Sequence, residues 1–319
     1  MQTTIEIPVP ATSLPYNFRF FLDYYLFYPW VVEQDRLLRL FRLDSGQHGL
    51  VAVGYADTPH RRLNVAVRSR SELSGAATQR LVDTLAWVFD VDNEVKPFYE
   101  VICQQDPVLK VASEAIYGAH IKADPTVFES VLGVVAAQNV YFGRTYQMLE
   151  LLCKRFGPSA RYDGRTYYAF PTPERLAGAS LAEIRSCRVG YRDKYIKGIA
   201  TSVAEGTARI EALKESDDIE QIRQTLMALP GVGPYTADLA MAIGLKKPTF
   251  HLDLFSREAL RSFYFDGQEV DDDTLRAFAE QRWGRWQRYA MLLLTTDTDT
   301  WSAKLGRPFR LKSAARNAE

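Results

Sequence analysis

The chain has 319 residues, 47% hydrophobic and 24% charged, enough for two domains or one large one with an ample core. Lys plus Arg and Asp plus Glu each total 39, which excludes a global basic field, so any face for a polyanion has to be local. Met1–Pro10 lacks the basic start and apolar core of a signal peptide and no run approaches ~20 apolar residues, so neither export nor a membrane span is expected.

Thr3–Pro8 alternates weakly and predicts an edge strand. Leu37–Leu43, Leu50–Tyr55 and Leu63–Arg68 are short, alternating segments punctuated by Ser45-Gly46, Asp57-Thr58-Pro59 and Ser69, the pattern of an antiparallel sheet. Between them and the N-terminus, Phe18, Phe20 and Phe21 are expected in the core. Leu81, Leu85, Val88 and Phe89 then form a helical face, and Pro97 to Val111 is predicted helical. Cys103, Cys153 and Cys187 are widely spaced without a paired motif, as reduced thiols are rather than disulfides. The fold class expected is α+β, with residues 1–115 an N-terminal sheet domain and residues 116–319 a mostly helical domain.

The helical part starts near Asp124-Pro125, a cap residue followed by a first-turn proline. Val127, Phe128, Val131, Leu132 and Val135 make an apolar helix that ends at Ala136-Ala137-Gln138-Asn139-Val140. A second helix, with Met148, Leu149, Leu152 and Phe156, stops at Gly157-Pro158. Ser180 and Glu183 form a capping box. Gly190-Tyr191-Arg192-Asp193-Lys194-Tyr195 opens another helix whose basic residues either meet phosphate or are solvated. Residues 141–213 carry 12 Lys and Arg against 7 Asp and Glu, and Lys304, Arg307, Arg310, Lys312 and Arg316 add a basic tail.

From Ser216 to Tyr264 the pattern is sharper. Asp217, Asp218 and Glu220 open a helix with Ile219, Ile222, Leu226 and Met227 at helical spacing. Leu229-Pro230-Gly231-Val232-Gly233 breaks it, because proline cannot continue a helix and glycine takes angles other residues avoid. Pro234 starts the next helix, which runs to Gly244. Backbone N–H groups of Gly231, Val232 and Gly233 at a helix N-terminus make a ready anion site; an ordinary tight helical corner would use the same residues. Beyond lies Asp253, a favoured N-cap for the helical run with Phe255, Ala259, Leu260 and Phe263. A last helix carries Trp283, Trp286, Tyr289 and Leu294.

A Leu-Pro-Gly-Val-Gly hairpin, a helix and then an Asp resembles the helix-hairpin-helix DNA glycosylase superfamily. The aromatic opening Pro15–Tyr24 resembles its 3-methyladenine DNA glycosylase II branch, and the resemblance covers nearly the whole chain, most strongly Asp124 to Leu294. It implies a monomeric base-excision enzyme acting on double-stranded DNA with damaged bases, cytoplasmic in a bacterium or nuclear in a eukaryote. By resemblance Asp253 is the catalytic carboxylate, while Tyr24, Tyr235 and Trp286 line the base pocket. Gln138 and Asn139 wedge into the gap left by the base. Gly231, Val232, Gly233, Tyr191, Arg192 and Lys194 meet phosphate, and backbone carbonyls of Met227, Leu229 and Val232 hold a monovalent cation. Three scattered cysteines cannot supply the four-cysteine iron–sulfur loop of some relatives, so no cluster and no organic cofactor are expected.

Two departures matter. Bifunctional relatives carry a lysine at the Tyr235 position, whose amine attacks the sugar; a phenol forms no Schiff base, which implies a monofunctional enzyme for alkylated purines. The alkylation-repair branch often places a pocket tryptophan where Thr295 stands, which leaves open another lesion such as 8-oxoguanine, hypoxanthine or uracil. A non-catalytic damage-binding protein, with Asp253 only a cap, is the third reading.

Overall fold

In the computed structural model, which describes residues 1–24, 26–43 and 46–309, the alternating segments pair into one antiparallel sheet. Ser45 of the predicted turn and Arg310, Lys312 and Arg316 of the basic tail lie outside the described residues. The strands β1 (Gln2–Pro8), β2 (Val31–Glu33), β3 (Arg36–Arg42), β4 (His48–Ala56) and β5 (Arg62–Arg68) run in the order β1-β5-β4-β3-β2. β2 was not expected; it is three residues long and pairs Glu33 with Arg36 across a turn through Gln34, which has a φ of 54°.

Register puts Val51 opposite Val67 and Val53 opposite Val65, and this face is buried under helix Gly75–Val88 through Leu81, Leu85 and Val88. The other face, with Leu38, Leu40 and Leu50, is covered by Tyr167 of a second hairpin, β6 (Ser159–Tyr162) and β7 (Arg165–Tyr168). That hairpin also went unforeseen, although Asp163 and Gly164 at φ 47° and 77° form the Asp-Gly turn that suits two tightly paired strands.

The helices follow the predicted pattern, with Val127–Ala137, Phe142–Phe156, Ile219–Met227 and Pro234–Gly244 among them. The start near Asp124 is corrected by two residues. Thr126 caps helix Val127–Ala137 by accepting from Glu129 N at 3.2 Å, which releases Asp124 to accept from Ser130 Oγ at 2.9 Å.

A division at 115/116 does not coincide with the packing. One core joins Ile7–Ile121 to Phe250–Phe309, so the C-terminal helices belong with the sheet; a second core gathers Val127–Leu245 with Tyr28. A buried bidentate ion pair, Arg39 on β3 with Glu129 on helix Val127–Ala137, ties the two at 2.5 Å per hydrogen bond. Among the described residues no helix is long and apolar enough to cross a membrane.

Candidate active site

The site begins with the break that the sequence makes between two helices. Asp218 caps helix Ile219–Met227, and Gly233 precedes Pro234 at the first turn of helix Pro234–Gly244. Gly231 has φ +75°, and a Cβ there would lie 2.3 Å from the Tyr195 ring, so glycine is required by packing as well as conformation. Gly233 has φ −98° and open space where a Cβ would go, so nothing inside the protein demands a glycine there. The Val232 N–H donates to the Leu229 carbonyl at 3.2 Å, which removes it from the expected phosphate donors and leaves Gly231 and Gly233.

After that helix, Phe250 and Leu252 are buried in the first core while the alternate residues, His251 and Asp253, line a cavity of about 360 Å³ between the two cores. The volume lies at the lower end of small-molecule sites, ~300–1,000 Å³. Its walls are largely aromatic: Phe20, Tyr24, Phe27, Phe142, Tyr235 and Phe255. Tyr24 stacks on Phe20 at 5.1 Å, and Phe142 lies 4.7 Å from Phe27. Phe18, Phe20 and Phe21 are all buried as expected, the latter two also facing the cavity.

Asp253 is the N-cap of helix Leu254–Tyr264 and accepts from Ser256 N at 2.7 Å through Oδ1, in a capping box that Ser256 Oγ completes. The cap uses one carboxylate oxygen, and Oδ2 makes no hydrogen bond among the described residues, so capping and a second role are compatible. His251, which sequence reading missed, stands edge-on to Tyr235 at 5.7 Å, with Nδ1 buried and without a hydrogen-bond partner. Burial pushes its pKa down to about 4, against the opposing pull of Asp253, so the imidazole is neutral at pH 7. Burial, then the Asp253 charge, pushes the Tyr235 phenol up to about 12, so it stays protonated.

Other expectations are redistributed. Trp286 is not on the cavity: it packs in the first core, 5.5 Å from Phe98 and 5.8 Å from Tyr289. It precedes helix Gln287–Thr295, whose far end, Thr295, lines the cavity ~13 Å along the axis. Gln138 donates its amide to the Gly231 carbonyl at 2.8 Å and to Thr236 Oγ1 at 3.0 Å, so it braces the hairpin rather than reaching outward. Asn139, at φ 52°, remains exposed beside Tyr141, which is 73% exposed and was not singled out from the sequence. Arg192 is buried, donating to the carbonyls of Val189 and Gln138, and leaves the phosphate set; Tyr191 and Lys194 are exposed.

The lysines nearest in sequence are committed elsewhere. Lys246 Nζ lies 2.7 Å from Asp90, and Lys247 lies 3.1 Å from Asp217. Burial alone would raise Asp90, but Lys246 and Arg288 hold it well below the usual carboxylate range. Lys122, Asp124 and Arg288 do line the cavity, and none was marked by a motif. No cluster of three or more His, Cys, Asp or Glu suited to a metal occurs among the described residues.

A glycine hairpin beside a cavity with a carboxylate on its wall fits a base-excising enzyme of DNA, and likeness to known proteins supports that class, a DNA glycosylase of base excision repair. Residues 132–285 match the HhH-GPD superfamily base excision DNA repair protein family. It is 29% identical over 212 residues to a DNA-3-methyladenine glycosylase of Bacillus subtilis, covering 65% of this chain and 68% of that one. It is 25% identical over 236 residues to a probable N-glycosylase/DNA lyase of Methanothermobacter thermautotrophicus, covering 67% and 73%. It shares its fold with the 3-methyladenine DNA-glycosylase from Archaeoglobus fulgidus, at a TM-score of 0.75 and 23% identity over 92% of this chain and 99% of that one.

Proposed function

We propose that the protein is a monofunctional DNA glycosylase that extrudes an alkylated purine from duplex DNA and hydrolyses its glycosidic bond, acting as a monomer. The observation that carries this is Tyr235: a protonated phenol stands where an attacking amine would be needed, in an aromatic cavity shared with Asp253. A base inside a duplex hides its glycosidic bond, so the nucleotide has to be swung out and the gap filled. Asn139 and Tyr141 are exposed on the turn before helix Phe142–Phe156, which supports a wedge role for them.

The N–H groups of Gly231 and Gly233, with Tyr191 and Lys194, hold the backbone phosphates and carry no lesion information. The carbonyls of Met227, Leu229 and Val232 would hold a monovalent cation at this hairpin, and it would supply positive charge for a backbone phosphate. The Leu229 oxygen already accepts from Val232 N–H and keeps one lone pair for it.

In the cavity the C1′–N bond breaks, its electron pair leaves with the base, and positive charge develops on the sugar. The Asp253 carboxylate stabilises that charge and orients a water, whose oxygen bonds to C1′ while its proton passes to solvent. An N3- or N7-alkylated purine already carries positive charge, which makes it a good leaving group and suits the faces of Tyr24 and Tyr235. With a phenol rather than an amine at position 235, the strand is left intact.

The test is a panel of duplexes, each with one damaged base, scored for base release with and without alkali. Asp253→Asn keeps the cap, since Asn serves as well as Asp, yet should lower release about a hundred- to a thousandfold while lesion binding persists. Full activity in a folded Asp253→Asn protein would refute the assignment.

A further inference from the structure

Lys122 is a cavity-lining cation that makes no hydrogen bond to the protein among the described residues. Its side chain is only 10% exposed, and its Nζ lies 3.6 Å from Asp124 Oδ1 and 6.0 Å over the Trp30 ring. The first distance exceeds a hydrogen bond. Arg288, the other cation on the wall, lies as far from buried Asp90, 3.6 Å, but is held by one hydrogen bond, donated to the Ala242 carbonyl at 3.3 Å. An ammonium taken nine-tenths out of water with no acceptor is costly unless something supplies one. Asp124 offers an ion pair at 3.6 Å rather than a hydrogen bond, and it is itself fixed by accepting from Ser130 Oγ, on a side chain that is fully buried. Asp124 therefore holds the cation in place, on the wall of the cavity.

We propose that Lys122, positioned by Asp124, reads the exocyclic group of the extruded base and favours keto purines over 6-amino purines. The inference rests on the cavity being the base site, as argued above. An ammonium carries three donors and no acceptor. A purine carbonyl answers it with two lone pairs, whereas an exocyclic amine presents donor to donor. Among alkylated bases this separates 7-methylguanine, which carries a carbonyl, from 3-methyladenine, which carries an amine. The aromatic walls supply stacking that is indifferent to that distinction, so the discrimination falls to Lys122.

The experiment uses bulk duplex DNA methylated so that both bases compete in one substrate, with the released bases separated by chromatography. Their release ratio is a ratio of kcat/KM values. Lys122→Met should lower the 7-methylguanine to 3-methyladenine ratio about tenfold, the worth of a hydrogen bond from a charged group. Lys122→Arg, which keeps charge and donors, should restore most of it. Asp124→Asn, which keeps the Ser130 hydrogen bond but releases the ammonium, should lower the ratio too and serves if the Met variant does not fold. An unchanged ratio in folded Lys122→Met, or an equal fall for both bases, overturns the proposal while leaving the glycosylase reading intact. A borohydride-trapped adduct at Lys122 overturns it in favour of a nucleophile. If the wild type releases neither base, the alkylated-purine function fails and the inference fails with it.

Discussion

The two hairpin glycines should fail in different ways when each is replaced by alanine. At Gly231 alanine would be held at φ +75°, costing roughly 1–2 kcal/mol. Its Cβ would also lie 2.3 Å from Cγ of the Tyr195 ring, which cannot swing aside like a flexible chain end. Such overpacking costs about 1–3 kcal/mol. The sum, about 2–5 kcal/mol, corresponds in a chain of 319 residues to a Tm lowered by roughly 3–7 °C. At Gly233 the backbone is ordinary and nothing lies within 4 Å of the new methyl, so Tm should move little. That methyl instead occupies the approach to a phosphate, and one lost charge-assisted hydrogen bond weakens DNA binding about ten- to a hundredfold. The loss should be equal on lesioned and undamaged duplex. Thermal melting paired with titration of both duplexes at two salt concentrations measures all of this. A Gly233→Ala protein that melts as low as Gly231→Ala, or that loses lesion preference alone, would refute the division of roles.

Two further outcomes follow from the cavity. Because the phenol of Tyr235 replaces an amine, product strands should remain intact until heated in alkali, and borohydride should trap nothing; prompt nicking with a trapped adduct would point to Lys122, the amine on the cavity wall. His251 protonates at about 4 in the folded protein and near its ordinary 6.5 when unfolded, so the unfolded chain binds the extra proton between those values. Stability should therefore fall as pH drops through that window, by up to about 1.4 kcal/mol per unit, and His251→Gln should flatten the slope. Equal slopes in denaturant titrations of the two proteins would show that His251 is not the group responsible.

Local signals made much of this legible. Alternation located β1, β3, β4 and β5 to within two residues, and the Pro-Gly-Val-Gly-Pro break located both hairpin helices, Pro234–Gly244 to the residue. Asp253 was identifiable because its spacing from the hairpin is local. The Asp163-Gly164 turn was equally local and simply passed over. The alternation Phe250-His251-Leu252-Asp253 put His251 on the side of Asp253, a signal that only gains meaning once Phe250 and Leu252 are known to be buried. Lys122 and Arg288 were beyond reach, because a charged residue beside a cavity looks like any solvated one until distant segments converge. Trp286 shows the converse. Its residue type suited a pocket, but its place immediately before helix Gln287–Thr295 sends it into the core.

The shared first core also bears on synthesis. Residues from Ile7 to Ile121 bury themselves partly against Phe250 to Phe309, so a chain leaving the ribosome cannot close that core until nearly its last described residue has emerged. The second core, drawn almost wholly from Val127–Leu245, has no such wait. Asp253 and His251 lie on the segment that returns from one to the other. The nascent protein thus carries its glycine hairpin before it has a pocket, and the cavity is completed last.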